Sequence, residues 1–148
     1  RQVFKEFKGV EHRLELVRTL NGVDYINDSK STTAQAGRWA LERLDKPGIM
    51  ICGGSDKHID YEELKSLVAQ KVKYMIAIGQ ISEQLKNTFK DVVALEISDS
   101  LAKAVDIARQ KAIAGDCVIL SPMTASFDMF KDYEHRGEVF KEIVRKLS

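Results

Sequence analysis

Short apolar segments alternate with amphipathic helical patterns along most of this chain, and that alternation constrains the fold more than any other feature. The apolar segments have the length and residue types of buried strands and lie at 49–52, 74–78, 92–95 and 117–120. Helical patterns lie at about 34–44, 61–70, 83–89, 101–114 and 137–147. Because such alternation is typical of βαβ units, we predict one doubly wound, Rossmann-like α/β domain with a mostly parallel sheet.

A β-hairpin is predicted to open this domain. Apolar residues such as Leu14 and Leu16 interleave with charged residues over 13–19, as in a half-buried strand. Asn21-Gly22, a dipeptide favoured in two-residue hairpin turns, separates this segment from a second apolar run at 23–26. The length of 148 residues fits a single domain, so we expect residues 1–148 to form one unit.

Composition excludes several classes of partner. The chain has 23 Lys and Arg against 22 Asp and Glu, whereas proteins that bind nucleic acid usually carry a strong basic excess. No apolar run reaches the 18 residues or so of a membrane span, which argues against a membrane partner. Cys52 and Cys117 lie in apolar segments and have no zinc-like spacing with histidines, so we predict inert core thiols, no metal site and a cytoplasmic location.

The polar segments that follow the predicted strands are where a ligand site is expected, because doubly wound sheets bind ligands at the carboxyl ends of their strands. These segments, 27–33, 53–57 and 121–126, contain lysines and hydroxyls that suit an anion. Each also has an ordinary structural explanation: Gly53-Gly54 as a tight turn, for example, and Asp28 as a cap or Asx turn. The chain contains no GxxxxGK[ST], GxGxxG or GxSxG motif.

Taken together and in order, these motifs resemble the C-terminal domain of the Mur ligases, the ATP-dependent amide ligases of peptidoglycan synthesis. The matching segments are HR-x-E-x-V at 12–17, NDSKST at 27–32, GGSDK at 53–57, LSPMTASFD at 120–128 and FKDYEHRG at 130–137. The NDSK loop is similar to that of the D-glutamate-adding members, whereas other members typically carry a D-Y-A-H-type segment there.

The resemblance implies a reaction in which ATP phosphorylates the carboxylate of UDP-N-acetylmuramoyl-L-alanine and the amine of D-glutamate attacks the acyl phosphate. The P-loop, the Mg²⁺ ligands and the UDP-sugar site of the family belong to two preceding domains, and this chain, which begins at Arg1, has none of their motifs. We therefore expect a C-terminal fragment of a longer ligase that uses ATP and Mg²⁺. Alone it should be inactive, because no catalytic residue is expected in this domain.

The resemblance also implies two groups of binding residues. One group would hold the D-glutamate dicarboxylate through cations, hydroxyls and a backbone amide: Lys30, Thr32, Lys57, Ser126, Phe127 and Tyr133. The first three of these would lie on the α-carboxylate side, with Lys30 more an organiser than a contact, and the last three on the side-chain carboxylate. Arg13 and Asp28 would face the nucleotide, with Asp28 accepting hydrogen bonds from ribose hydroxyls.

Two positions depart from the family pattern, and two alternatives stay open. Ser55 stands where many members have an acidic residue two positions before the lysine, with Asp56 adjacent to Lys57 instead, and Tyr133 stands in place of a common Phe. The alternatives are the same domain of another Mur or folylpolyglutamate-type ligase, and a free-standing nucleotide- or anion-binding module. We also expect loop 27–33 to be mobile until a ligand supplies its fixing contacts.

Overall fold

A computed structural model describes residues 10–148, which form a six-stranded sheet with helices on both faces. The strands are β1 (Glu15–Leu20), β2 (Val23–Asn27), β3 (Gly48–Gly53), β4 (Val72–Ile78), β5 (Ala94–Ile97) and β6 (Cys117–Leu120). The helices are α1 (Ala34–Glu42), α2 (Lys65–Lys71, after a 3₁₀ turn at Glu62–Leu64), α3 (Ser82–Phe89), α4 (Leu101–Lys111) and α5 (Tyr133–Arg145). The predicted fold class is confirmed, while residues 1–9 of the predicted domain lie outside the described residues. None of the described helices is both long and apolar enough to cross a membrane.

The strand order is β1-β2-β6-β3-β4-β5, and only the β1–β2 pair is antiparallel. Leu20 pairs with Val23 across a two-residue turn in which Asn21 and Gly22 both have positive φ, 54° and 78°. That conformation matches the right-handed twist of a hairpin, and it explains the Asn-Gly sequence. The predicted N-terminal hairpin is confirmed.

The carboxyl ends of the central strands lie side by side, which brings the polar segments together. Asn27 at the end of β2 pairs with Leu120 at the end of β6, and Gly53 at the end of β3 pairs with Ile78 of β4. Because β1 is antiparallel to β2, it enters the sheet at this same edge. The backbone N–H of Lys30 accordingly donates to the carbonyl of His12 at 2.9 Å.

The two sides of each central strand contribute to different hydrophobic layers. In β3, Met50 and Cys52 pack with α1, α2 and α3, whereas Ile49 and Ile51 pack with α4 and α5. Burial raises the pKa of both free thiols, Cys52 and Cys117, to about 12, as expected for unreactive core cysteines.

Helix α5 begins at Tyr133, four residues before the position that the apolar pattern indicates. The Asp132 side chain caps it by accepting a hydrogen bond from the backbone N–H of His135 at 2.7 Å. Periodicity missed this first turn because its residues face the polar edge of the sheet rather than the apolar core. The earlier start places Tyr133 and Arg136 beside the loops that follow β2 and β6.

Candidate functional site

Two cavities that are lined by predicted site residues lie at the carboxyl edge of the sheet, on either side of loop 28–33. A third cavity at this edge, of about 370 Å³, lies between residues 33–35 and residues 59–63 and is lined by none of the predicted site residues. The arginine cavity, of about 130 Å³, is lined by residues from the β1 entry, the NDSK loop and α1: Arg13, Asp28, Lys30, Ser31, Ala36 and Trp39. The lysine cavity, of about 210 Å³, is lined by residues of three loops and the start of α5: Thr32, Lys57, Ala125, Ser126, Phe127, Asp132 and Tyr133.

A larger depression of about 390 Å³ lies between residues 44–47 and 69–73, away from this edge. Those residues directly precede or begin β3 and β4, so the depression is at the amino ends of the strands. Doubly wound sheets bind ligands at the opposite ends, and the arginine and lysine cavities, which lie there and are lined by predicted site residues, are therefore the candidate site.

The structure brings the predicted residues together with one exception. Five of the six residues expected around D-glutamate line the lysine cavity, namely Thr32, Lys57, Ser126, Phe127 and Tyr133. The sixth, Lys30, lines the arginine cavity together with both residues expected to face the nucleotide, Arg13 and Asp28. The side chains at positions 30 and 32 thus lie in different cavities although they are only two residues apart.

The lysine cavity offers separate groups that can bind two carboxylates. Lys57 is exposed, and within residues 10–148 its ammonium makes no hydrogen bond or ion pair. The hydroxyl of Ser126 is buried without a hydrogen-bond partner among the same residues, so a ligand oxygen could satisfy it. The N-terminus of α5 at Tyr133 adds the positive end of a helix dipole.

In the arginine cavity, the backbone turns Arg13 away from the core. Arg13 lies between two residues with left-handed φ, His12 at 66° and Leu14 at 45°. Non-glycine residues rarely adopt this region, and such strain concentrates at functional sites. The hydroxyl of Ser31, which is buried at the wall of this cavity, has no hydrogen-bond partner within the described chain.

Asp28 forms part of the cavity wall while being almost completely buried. One carboxylate oxygen accepts from the backbone N–H of Leu14 at 3.1 Å, and the other accepts from the hydroxyl of Ser121 at 2.8 Å. Burial raises the pKa of Asp28 to about 7, although these hydrogen bonds and the charges of Arg13 and Arg136 oppose the rise.

This raised pKa predicts a specific pH dependence of stability. Between about pH 4 and pH 7 the folded chain keeps the Asp28 proton that the unfolded chain loses, so the Asp28 contribution to stability falls as pH rises and is constant above pH 7. Asp28→Asn cannot ionise and keeps an acceptor for the Leu14 N–H. Urea denaturation of the 148-residue chain measures this effect as the difference in unfolding free energy between wild type and Asp28→Asn. From pH 4 to pH 7, that difference should shift against wild type by up to about 4 kcal/mol. Parallel pH profiles for the two proteins would contradict this assignment.

Arg136, to which sequence reasoning gave no role beyond its place in a motif, fixes the arrangement of the two loops. Its buried guanidinium donates to the carbonyl and hydroxyl oxygens of Ser29, at 2.8 and 2.9 Å, and to the carbonyl of Thr124 at 3.1 Å. The Ser29 hydroxyl in turn donates to the carbonyl of Tyr133 at 2.6 Å. Arg136 therefore joins the NDSK loop, the loop after β6 and α5. Burial lowers the pKa of Arg136 to about 10, which leaves it charged at neutral pH.

The NDSK loop is also held by backbone hydrogen bonds. The N–H of Asp28 donates to the carbonyl of Leu120 at 2.8 Å, and the N–H of Met123 donates to the carbonyl of Ser31 at 2.9 Å. Together with Arg136, these contacts fix the loop within the domain itself. The expectation that a ligand supplies most of its fixing interactions is therefore not supported.

Gly53-Gly54 is a close-packed turn rather than a cradle for phosphate. The N–H of Gly53 donates to the carbonyl of Pro122, so it is not free for an anion. Gly54 has a φ of 154°, and a side chain there would bring Cβ within 2.4 Å of the Ala125 carbonyl oxygen. The glycines thus allow the loop after β3 to approach the loop that carries Ser126.

Ser55, which departs from the family pattern, has a structural partner. Its hydroxyl accepts from the backbone N–H of Asp128 at 3.0 Å, and its own N–H donates to the carbonyl of Ala125. Among the described residues neither Ser55 nor Asp56 hydrogen-bonds the Lys57 ammonium. Among these residues, therefore, no acidic neighbour orients the Lys57 ammonium.

The other members of the HR-x-E motif act on the scaffold. The side-chain amide of Asn27 lies 2.8 Å from His12 Nδ1 and donates to Glu15 Oε1 at 3.0 Å, which links the β1 entry to the end of β2. Arg13 is the member of this motif that lines the arginine cavity.

Glu11, His12 and Glu138 place ligand atoms within 4.8 Å of one another, a spacing compatible with a metal ion. The buried ammonium of Lys141, however, lies 2.7 Å from Glu11 Oε2 and 3.3 Å from Glu138 Oε1. This cation already balances the carboxylates, so the cluster is better explained as a salt-bridge network on α5.

The two cavities place cationic and hydroxyl side chains at the edge where doubly wound sheets bind ligands. Residues 12–124 match the family described as Mur ligase, glutamate ligase domain. The chain therefore belongs to the Mur ligase family.

Curated relatives extend the match across the whole chain. The chain is 50% identical over 147 residues to the UDP-N-acetylmuramoylalanine–D-glutamate ligase of Pelodictyon phaeoclathratiforme, covering 99% of this chain and 32% of that protein. It is 44% identical to the ligase of the same name from Aquifex aeolicus, and the match covers 97% of this chain and 35% of that protein. The chain thus spans about a third of the length of these relatives.

Solved structures share the fold at lower identity. Escherichia coli FolC in complex with ADP superposes with a TM-score of 0.65 at 17% identity, covering 93% of this chain and 32% of that one. The MurF ligase of Thermotoga maritima in complex with ADP gives a TM-score of 0.55 at 17% identity, with the same coverage.

Proposed function

We propose that this chain is the amino-acid-binding domain of a UDP-N-acetylmuramoylalanine–D-glutamate ligase that acts in the cytoplasm. The observation that carries the proposal is the lysine cavity, where the Lys57 ammonium and the buried Ser126 hydroxyl have no partner among residues 10–148 and could bind two carboxylates of one ligand. The names of relatives at 44–50% identity support D-glutamate as that ligand. They do not favour another Mur ligase, a folylpolyglutamate-type ligase or a free-standing binding module.

In this proposal, Lys57 and Thr32 bind the α-carboxylate of D-glutamate. The hydroxyl of Ser126 and the backbone N–H of Phe127 bind the side-chain carboxylate, beside Tyr133 at the N-terminus of α5. Holding both carboxylates fixes the amine relative to the acyl carbon, and such positioning contributes to the rate by avoiding the entropy cost of orientation. The chain's own residues bind and orient the acceptor, and none of them forms a covalent bond with it.

The arginine cavity is proposed to face the nucleotide. Arg13 would donate to phosphate oxygens, and Asp28 would accept from ribose hydroxyls with the lone pairs that its internal hydrogen bonds leave free. Lys30, which lies in this cavity, would add a second positive charge there, so we assign it to the nucleotide side.

ATP would supply the phosphoryl group for the acyl phosphate of UDP-N-acetylmuramoyl-L-alanine. The Mg²⁺ ligands, the P-loop and the UDP-sugar site are proposed to lie in two preceding domains of the same chain. In that arrangement the present domain closes over the reacting groups as a lid.

Phosphate release tests this proposal. The full-length protein, given ATP, Mg²⁺ and UDP-N-acetylmuramoyl-L-alanine, should release phosphate in a D-glutamate-dependent manner. The 148-residue chain under the same conditions should release none, because it lacks a P-loop. Clear turnover by the 148-residue chain would contradict the domain assignment, and D-glutamate-independent release by the full-length protein would contradict the acceptor.

A further inference from the structure

The arginine cavity contains a residue that neither the motifs nor the proposed ligand contacts explain, the indole of Trp39. Trp39 lies on α1 one turn after Ala36, and both residues line the cavity wall. The guanidinium carbon of Arg13 lies 5.2 Å from the centroid of the Trp39 ring, within the range of a cation–π interaction. Because Ala36 is small, it leaves room beside the ring.

Arg13 has few other constraints on its side chain. The residue is exposed, and its guanidinium makes no hydrogen bond or salt bridge with residues 10–148. An exposed arginine that is free to rotate loses side-chain entropy when it binds an anion, and prior fixing of the group lowers that cost. The aromatic ring supplies such fixing while leaving all five N–H donors available, since a cation–π contact uses none of them.

A second arginine helps to hold the ring. The guanidinium carbon of Arg43 lies 4.0 Å from the Trp39 ring centroid, and its NH1 donates to the Trp39 carbonyl at 2.9 Å, four residues back in the chain. Arg43 does not line the arginine cavity. It therefore supports the ring without being placed to contact the ligand.

We propose that Trp39 is a positioning residue for Arg13: its ring holds the guanidinium at the mouth of the arginine cavity so that the donors face an anionic group of the nucleotide. The inference rests on the proposed function, because the nucleotide is the ligand assigned to this cavity. Trp39 acts through Arg13 and is not a ligand contact, so removing it should matter only while Arg13 is present.

The test is a double-mutant cycle in the full-length ligase, with separate KM values for ATP and for D-glutamate. Trp39→Leu keeps an apolar side chain on α1 but removes the aromatic face, whereas Trp39→Phe keeps an aromatic face. We expect Arg13→Ala to raise the KM for ATP by about tenfold and Trp39→Leu to raise it by about threefold, each with the KM for D-glutamate within about twofold of wild type. The double variant should match Arg13→Ala alone, and Trp39→Phe should stay close to wild type.

The outcomes separate the inference from the proposed function. If Arg13→Ala raises the KM for ATP but Trp39→Leu does not, or if the two effects multiply to about thirtyfold in the double variant, the positioning role of Trp39 is wrong while the nucleotide assignment stands. If Arg13→Ala leaves the KM for ATP unchanged, the nucleotide assignment fails and the inference fails with it. Arg43→Ala is the matched control and should change the KM for ATP by less than Trp39→Leu does.

Discussion

Lys57→Ala in the full-length ligase should raise the KM for D-glutamate by about tenfold or more. The Lys57 ammonium is exposed in the lysine cavity and has no partner among the described residues, so its loss removes a ligand contact without disturbing an internal one. A hydrogen bond to a charged group contributes roughly 1.5–3 kcal/mol, and 1.4 kcal/mol corresponds to a factor of ten. The KM for ATP should stay within about twofold of wild type, since Lys57 does not line the arginine cavity.

The control for this variant is Lys90→Ala, which removes an exposed lysine just after α3. It should leave both KM values unchanged. If Lys57→Ala leaves the KM for D-glutamate at the wild-type value, Lys57 does not bind the acceptor, and the lysine cavity loses the one cation among its described lining residues.

The second large effect is expected for Arg136→Ala, which should lower the unfolding free energy by about 3–5 kcal/mol. The substitution leaves the buried carbonyls of Ser29 and Thr124 without their donor, and each unsatisfied buried acceptor costs roughly 1–3 kcal/mol. Urea denaturation of the 148-residue chain measures the loss. Arg136→Lys should recover only part of it, because one ammonium cannot replace three guanidinium hydrogen bonds to two residues.

Arg145→Ala provides the matched control at the exposed end of the same helix, and it should cost less than about 1 kcal/mol. In the full-length ligase, Arg136→Ala should raise the KM values for ATP and for D-glutamate together, because Arg136 holds the loops of both cavities. A stability loss for Arg136→Ala no larger than that for Arg145→Ala would show that Arg136 does not hold the loops together.

The sequence predicted the sheet and the gathering of the polar segments at one edge because both depend on local signals, whereas the division of the site residues came from the family resemblance. Strand ends are marked by polar segments, and parallel strands bring those ends to one edge, so the grouping of Lys57 with Ser126 follows from topology. The Asn21-Gly22 turn is similarly local, because its two residues adopt the positive φ values that the hairpin needs.

The features that sequence reasoning missed depend on contacts between distant parts of the chain. Arg136 meets Ser29 across 107 positions, and no local pattern indicates that pairing. The family resemblance grouped Lys30 with the D-glutamate residues, yet the side chain of Lys30 lines the other cavity. In the sequence, Trp39 fits the apolar face of an amphipathic helix. Its proposed role in positioning Arg13 follows only from the distance between the two side chains.

A crystal structure of the full-length protein with D-glutamate and a non-hydrolysable ATP analogue would show directly whether the lysine cavity binds the acceptor. We expect D-glutamate in the lysine cavity, with one carboxylate about 3 Å from the Lys57 ammonium and the other about 3 Å from the Ser126 hydroxyl. D-glutamate bound outside this cavity, or bound there with both Lys57 and Ser126 out of hydrogen-bond reach, would contradict this expectation.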